Sequence, residues 1–447
     1  MKRLFNNITN NVRDTNLRKN IVLTAGLKTL GVFVSFLLVP ITIEYLNTEQ
    51  YGIWMTLSSI LLWFSFFDIG LGNGMRTYLT EAISSGDYEK GRTYITTTLL
   101  LTAFISALLG LVFIGLSFSL DLNSIFNTNA ISNNEFRIIL LTAIIGTLII
   151  FVVKNIGLIY VALQKYAVYE LLLILGNLIA LCFIFLVSKT SSHSLLNIVA
   201  IFIISPILVY LFAALIVFRQ HPKLSPKLRY FDMSYGKQII YKGIGFFFIQ
   251  TTSCLVIFGG SNVFITQYAG PESVTIYNIA YKHFYILTIL YTIIISPLWN
   301  AYTDAFVKND FIWVQRKFNY ALKLWGISFL VGGVLLLFSK TFYGIWVGNS
   351  INIPFSISLC VLVYVSFFNL NNCVTYLINS TNKIFVQILT SVIITLLYVL
   401  SVLLLGKSLG VEGIIWCMAA SYAAMSLIHF YQCRLIIKQK ATGIWNK

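Results

Sequence analysis

Acidic side chains are scarce in this sequence: 15 Asp and Glu stand among 447 residues, beside 31 Lys and Arg, and charged residues of both signs make up only 10%. Soluble domains carry about 25%, so a soluble globular domain is excluded. Cysteine is thin and never paired as Cys-x-x-Cys; Cys182, Cys254, Cys360, Cys373, Cys417 and Cys433 sit mostly inside apolar runs and read as small apolar side chains, not disulfides or metal ligands. The four histidines have no ligand spacing. No Ser/His/Asp or Cys/His arrangement and no Walker motif is present, so no enzyme, no cofactor and no metal are expected. Residues 1–19 are polar and basic without an apolar h-region, which speaks against a cleaved signal peptide.

What fills the chain is hydrophobic: 58% of residues, with mean hydropathy +0.83. A spanning helix needs about 20 mainly apolar residues. Twelve such runs lie near 20–44, 51–71, 92–118, 136–163, 167–187, 195–218, 239–265, 274–298, 319–338, 353–378, 384–405 and 410–434. No alternating ten-residue pattern suggests a barrel, so the expected class is an all-α integral membrane protein. Twelve spans place both termini on one side. That side, counting the even-numbered connections with the termini, carries 24 of the 31 Lys and Arg; the odd connections carry Arg137, Lys189, Lys340 and Lys407. The positive-inside rule makes the basic side cytoplasmic. The net charge of +16 is then topology, and no nucleic acid partner is needed to explain it. Lys28, Lys154 and Lys282 are left over, well inside spans.

The basic connection near the middle joins two halves. A shift of 223 residues lays Tyr45 on Tyr268, Glu49 on Glu272, Ile53 on Ile276, Thr80 on Thr303, Glu81 on Asp304, Ala82 on Ala305 and Asp87 on Asp310. The expected organisation is a cytoplasmic segment at 1–19, a six-helix lobe at 20–218, a basic linker at 219–238, a second six-helix lobe at 239–434 and a tail at 435–447. Six helices per half keep the halves parallel, as in two-lobed transporters with a central cavity.

The stretch from Asp68 to Arg76 interrupts an apolar run with an acid, three glycines in five positions and an arginine. It precedes no Rossmann strand and has no Gly-Lys-Ser/Thr, so it reads as a helix terminus and hinge at the inner mouth, with Gly74 on Pro297 in the shifted register. Arg18-Lys19-Asn20, the Glu49-Gln-Tyr-Gly-Ile-Trp54 turn and Asp68-Ile-Gly-Leu-Gly-Asn-Gly resemble the polysaccharide-unit flippases of the Wzx type, O-antigen flippases among them, within the multidrug and lipid-linked-oligosaccharide exporter superfamily. These motifs cover the first two helices; the twelve-helix plan agrees over the whole chain. The resemblance implies outward flipping of an undecaprenyl-diphosphate-linked oligosaccharide across a bacterial inner membrane, for O-antigen or a similar surface polysaccharide. A polysaccharide polymerase and a chain-length regulator are its candidate protein partners. A multidrug exporter of the same superfamily is the alternative.

A Lys or Asp at a helix centre costs about 2.5–3.5 kcal/mol on insertion scales, so the three lysines inside spans need a reason. Thr24, Lys28, Gly31 and Ser35 form one small, polar stripe on the first helix. Lys154-Asn155 interrupts the fourth. Asn278, Tyr281, Lys282 and Tyr285 share a face of the eighth. One reading makes the lysines point-charge contacts for a diphosphate; the other has them snorkel or pair with an acid such as Asp68 or Glu170. Glu170 is an interfacial or a proton-coupling acid, Asp68 and Arg76 gate the inner mouth or meet the diphosphate, and Tyr281 and Tyr285 offer stacking faces for sugars. Glu81 and Asp304 read as structural. On the tenth helix Asn372, Thr375 and Asn379 share a face, to bond a neighbouring helix or line a wet cavity.

Overall fold

Backbone groups inside a bilayer have no water to bond to, so apolar runs of this length cross it as helices. A computed structural model describes residues 23, 26–64, 70–189, 193–238 and 260–446, with only the backbone of Asn300. Its helices are α1 (Gly26–Leu46), α2 (Thr48–Leu62), α3 (Leu71–Ser85), α4 (Tyr88–Ser119), α5 (Asn133–Ala162), α6 (Tyr166–Val187), α7 (Leu195–Gln220), α8 (Gly260–Ala269), α9 (Pro271–Ile295), α10 (Leu298–Val307), α11 (Phe311–Leu337), α12 (Ser339–Trp346), α13 (Phe355–Ser380) and α14 (Phe385–Ile437). No strand occurs among the described residues. Nine of these helices are long and apolar enough to span a membrane. The last is really two, because Gly410 takes φ 60° and ψ −150° inside it. Helices α2 and α8 border undescribed residues and occupy the second and seventh places. Together these make the twelve spans expected.

The chain divides into two compact units. The first comprises residues 1–47, 61–123 and 131–247. Its core gathers Met75 and Leu79 of α3, Ile95 of α4, Ile156, Ile159 and Tyr160 of α5, Leu172 of α6, and Val209, Tyr210, Ala213 and Val217 of α7. Tyr160 Oη donates to the Ala213 carbonyl at 2.8 Å, giving that buried hydroxyl its partner. The connection at 219–238 lies along α4. Leu224 fills the space above Gly91, and the Lys227 and Asp232 amides donate to Thr96 and Thr97 at 3.3 and 3.0 Å. Arg92 donates to the Pro222 carbonyl at 3.1 Å and stacks over Tyr230.

The second unit comprises residues 48–60, 124–130 and 248–447. Here α2 packs close to the start of α9. A Cβ on Gly52 would collide with the Pro271 carbonyl oxygen, so only glycine lets the two backbones approach this closely. Another core of this unit joins Tyr291, Ile295, Tyr302, Val314, Phe318, Cys373, Leu377, Cys433 and Ile436.

The internal repeat is written in the turns. Asn47 (φ 86°) and Gly270 (φ 82°) end helices at positive φ, with their amides bonded to Ile43 and Thr266. Gly86 (φ 77°) and Asn309 (φ 56°) do the same before α4 and α11. Their amides reach Ile83 and Phe306, and those of Asp87 and Asp310 reach Ala82 and Ala305, all in the 223-residue register. Each Asp then caps the next helix, accepting from Lys90 N at 3.1 Å and Trp313 N at 3.0 Å. A third pair, Gln164 (φ 62°) and Asn382 (φ 58°), follows at a shift of 218. Most of the change of register falls within α5, which has 30 residues to 26 in α13: the shift is 222 where these helices start and 218 where they end.

Candidate functional site

In the first unit the polar stripe of α1 faces α6. Lys28 Nζ lies 3.3 Å from Glu170 Oε1, with the two side chains 55% and 17% exposed. One turn along each helix, a Cβ on Gly31 would stand 3.1 Å from Ile174 Cγ1, so the glycine admits Ile174 beside the pair. The small residue of the stripe thus sets the helix separation and the charged residue uses it. Thr24 lies outside the described residues.

Glu170 adjoins Tyr169, whose hydroxyl is within electrostatic reach of both Glu170 and Arg76 of α3. The Tyr169 ring rests on Gly157, where a Cβ would come within 2.9 Å of it. Gly157 lies just past the irregular turn at Lys154. That turn is tightened by an i→i+3 bond from the Gly157 amide to the Lys154 carbonyl, 3.0 Å. The Asn155 amide donates back to the Phe151 and Val152 carbonyls at 3.3 and 3.1 Å. Lys154 Nζ stands 4.8 Å from the Phe151 ring centre. The structure therefore gathers Lys28, Glu170, Tyr169 and Arg76 in one neighbourhood, with the Lys154 turn joined to it through Gly157. Asp68 lies outside the described residues.

The glycine stretch is less broken than its composition suggests. Gly70, at φ 78°, starts α3, while Gly72 and Gly74 lie within the helix, as does the exposed Arg76. In the second unit the break falls at Ser296 and Pro297, between α9 and α10. The two breaks therefore differ by a turn in the 223-residue register. A positive φ is cheap only at glycine, and the missing N–H and ring of proline stop a helix wherever it stands.

In the second unit the expected face of α9 separates into two environments. The Asn278 amide donates to Asn262 Oδ1 at 3.0 Å and to the Val274 carbonyl at 2.8 Å. Asn262 in turn donates to Ser59 Oγ at 2.6 Å. Thr56 and Thr266 share a 2.6 Å bond, and Thr275 donates to the Thr48 carbonyl at 2.7 Å. Asn278 is thus one rung of a polar ladder joining α2, α8 and α9. Tyr281 lies in an aromatic cluster, its ring 5.9 Å from Tyr277, 5.2 Å from Tyr285 and 6.0 Å from Tyr364, which continues to Tyr422 at 5.7 Å. Lys282, half-buried, directly follows Tyr281 and lies between it and Tyr285 in sequence.

One constellation escaped the sequence reading. His429 is buried, with Nε2 2.8 Å from Thr390 Oγ1 and Nδ1 3.1 Å from Asn371 Oδ1. Three polar residues in three adjoining apolar runs were the available signal. Asp304 pairs with Lys308 at 2.7 Å on the surface. The described cysteines are free thiols, and no group of His, Cys, Asp or Glu among the described residues could hold a metal.

A family model described as polysaccharide biosynthesis protein matches residues 17–299. A Yersinia pseudotuberculosis protein named for O-antigen export is 23% identical over 309 residues, covering 66% of this chain and 67% of that protein. Among solved structures, an inward-facing multidrug resistance MATE transporter of the MOP superfamily has a TM-score of 0.74 at 14% identity, covering 94% of this chain and 98% of its own. A MOP superfamily transporter from Pyrococcus furiosus, described as having a binding pocket of reverse polarity, has a TM-score of 0.59 at 15% identity, with 95% of each chain covered. The fold of this chain is that of the MATE transporters.

Proposed function

Since the chain belongs to the polysaccharide biosynthesis protein family, we propose that it is a flippase. It carries undecaprenyl-diphosphate-linked oligosaccharide units, for O-antigen or a similar surface polysaccharide, from the cytoplasmic to the periplasmic leaflet. The family match over most of the first three hundred residues is the observation that carries this reading; the relative named for O-antigen export and the transporter fold support it. Six-helix lobes at 20–218 and 239–434 work by alternating access in the bacterial inner membrane, both termini cytoplasmic, as the lopsided lysine and arginine distribution suggests.

The reaction is translocation, so the chain's task is to shield charge rather than to make or break bonds. Lys28, Arg76 and Lys154 supply cations toward a diphosphate; Lys282 supplies one from the second unit. Glu170 holds Lys28 while no substrate is present and yields it to the phosphate. Asp68 and Arg76 meet the diphosphate at the inner mouth, and Tyr281 and Tyr285 offer faces to sugars. With the cell interior negative, an outgoing anion gains about 2.3 kcal/mol per charge per 100 mV, so the potential assists export. A polymerase and a chain-length regulator act on the delivered units.

The test is a deletion strain. Loss of the gene abolishes surface polysaccharide and leaves lipid-linked units on the cytoplasmic leaflet, with drug susceptibility unchanged. Units that reach the periplasm normally in its absence overturn the proposal.

A further inference from the structure

The end of the second unit where α11 begins and α14 ends holds a pocket that the transport reading does not use. It encloses about 330 Å³ between the two helices. Arg434 and Lys438 of α14 and Gln315 and Asn319 of α11 form its polar wall; Phe318 and Phe430 belong to its apolar lining. Asn319 and Leu322 also line an adjoining recess of about 550 Å³, with Arg316, Tyr320 and Lys323. Four cations therefore line the two spaces, and neither is lined by a carboxylate. Arg434 is held over the Phe430 ring at 4.6 Å, which steadies its guanidinium at the pocket wall.

What lies above the cations fixes the kind of ligand. Arg316, Tyr320 and Lys323 begin a stripe that continues at helical spacing through Ile327, Leu330, Val334 and Leu337, which are 55%, 71%, 54% and 75% exposed. Its apolar part, from Ile327 to Leu337, runs about 15 Å, the depth of one leaflet's hydrocarbon. Of the nine spanning helices, α11 also has the smallest buried share, 17%, so its surface belongs to the bilayer rather than to a path through the protein. A ligand here needs a phosphate to satisfy the cations and a hydrocarbon tail to cover the stripe.

We infer that the paired recesses flanking Asn319 are a binding site for the headgroup of an anionic glycerophospholipid, with its acyl chains laid along α11. Basic residues at a membrane surface each favour an anionic headgroup by a modest increment, and here four converge where the apolar stripe begins.

The full-length protein, purified in detergent, is titrated with phosphatidylglycerol, phosphatidylcholine or undecaprenyl phosphate, and bound lipid is counted by native mass spectrometry. Wild type binds phosphatidylglycerol about tenfold or more tighter than phosphatidylcholine. Arg434→Gln with Lys438→Gln loses that preference, Arg434→Lys with Lys438→Arg keeps it, and Lys340→Gln with Lys407→Gln leaves it unchanged. If the first pair cannot be purified, Arg316→Gln with Lys323→Gln reads the same site. Equal binding of the two phospholipids by wild type, or an undiminished preference in the glutamine variants, overturns the inference. Undecaprenyl phosphate displacing phosphatidylglycerol at equal concentration overturns the assignment to a bilayer lipid.

Discussion

Lys28 and Glu170 face each other across 3.3 Å, from α1 to α6, with the carboxylate much the better covered of the two. Removing either partner takes away the charge that faces the other across this contact. Lys28→Ala and Glu170→Gln are each expected to cut surface polysaccharide by about tenfold or more. The exchange of Lys28→Glu with Glu170→Lys restores the amount of protein in the membrane but not transport, because the cation has moved from α1 to α6. Immunoblots and polysaccharide staining in the same strain measure both; normal polysaccharide from the exchanged pair would make the pair structural only.

Asn278 is expected to act through stability. Asn278→Leu breaks its bond to Asn262 and leaves a buried oxygen unpaired, costing about 1–3 kcal/mol. The midpoint of thermal unfolding in detergent falls, and adding Asn262→Leu lowers it by less than a second independent loss would.

Gly52→Ala drives a Cβ into the Pro271 carbonyl, and neither backbone can yield without moving a helix. The variant is expected to vanish from the membrane fraction. Gly115→Ala, with nothing within 4 Å of the added carbon, accumulates as wild type does.

The cap at the start of α4 gives a pH dependence of known sign. Hydrogen bonds from the Lys90 amide and side chain hold the Asp87 carboxyl below its ordinary range. A folded-state value below the unfolded one gives stability that is complete above the unfolded value and lost as pH falls through the folded one. Thermal midpoints of wild type and Asp87→Asn, compared from neutral pH into acid, are expected to converge as the carboxylate is protonated. A gap that stays constant across the titration would mean that the cap's charge contributes nothing.

The spans, the doubled plan and the common face of Lys28 and Gly31 were legible because hydrophobic length and helical spacing are one-dimensional signals. The 223-residue shift even anticipated turns that Asn47 and Gly270, unlike in sequence, close alike. Two things were not legible. The partner of Lys28 had Asp68 as an equal candidate, since the choice depends on which helices touch. The ladder from Ser59 through Asn262 to Asn278 joins residues 203 and 16 positions apart, and tertiary packing alone selects them from many buried Asn and Ser. The hinge also shifted, because its place depends on which glycine takes the left-handed conformation.

The irregular turn at Lys154 bears on how the two halves parted company. Helix α5 is four residues longer than α13, and its break lies at Lys154. Four residues turn a helix about 40° past a full revolution, so an insertion of that size nearly preserves the facing of everything beyond it. The extra turn of α5 therefore leaves the later turns at Gln164 and Asn382 with the same positive φ. Lys154 therefore marks the place where α5 breaks and carries a turn that α13 lacks.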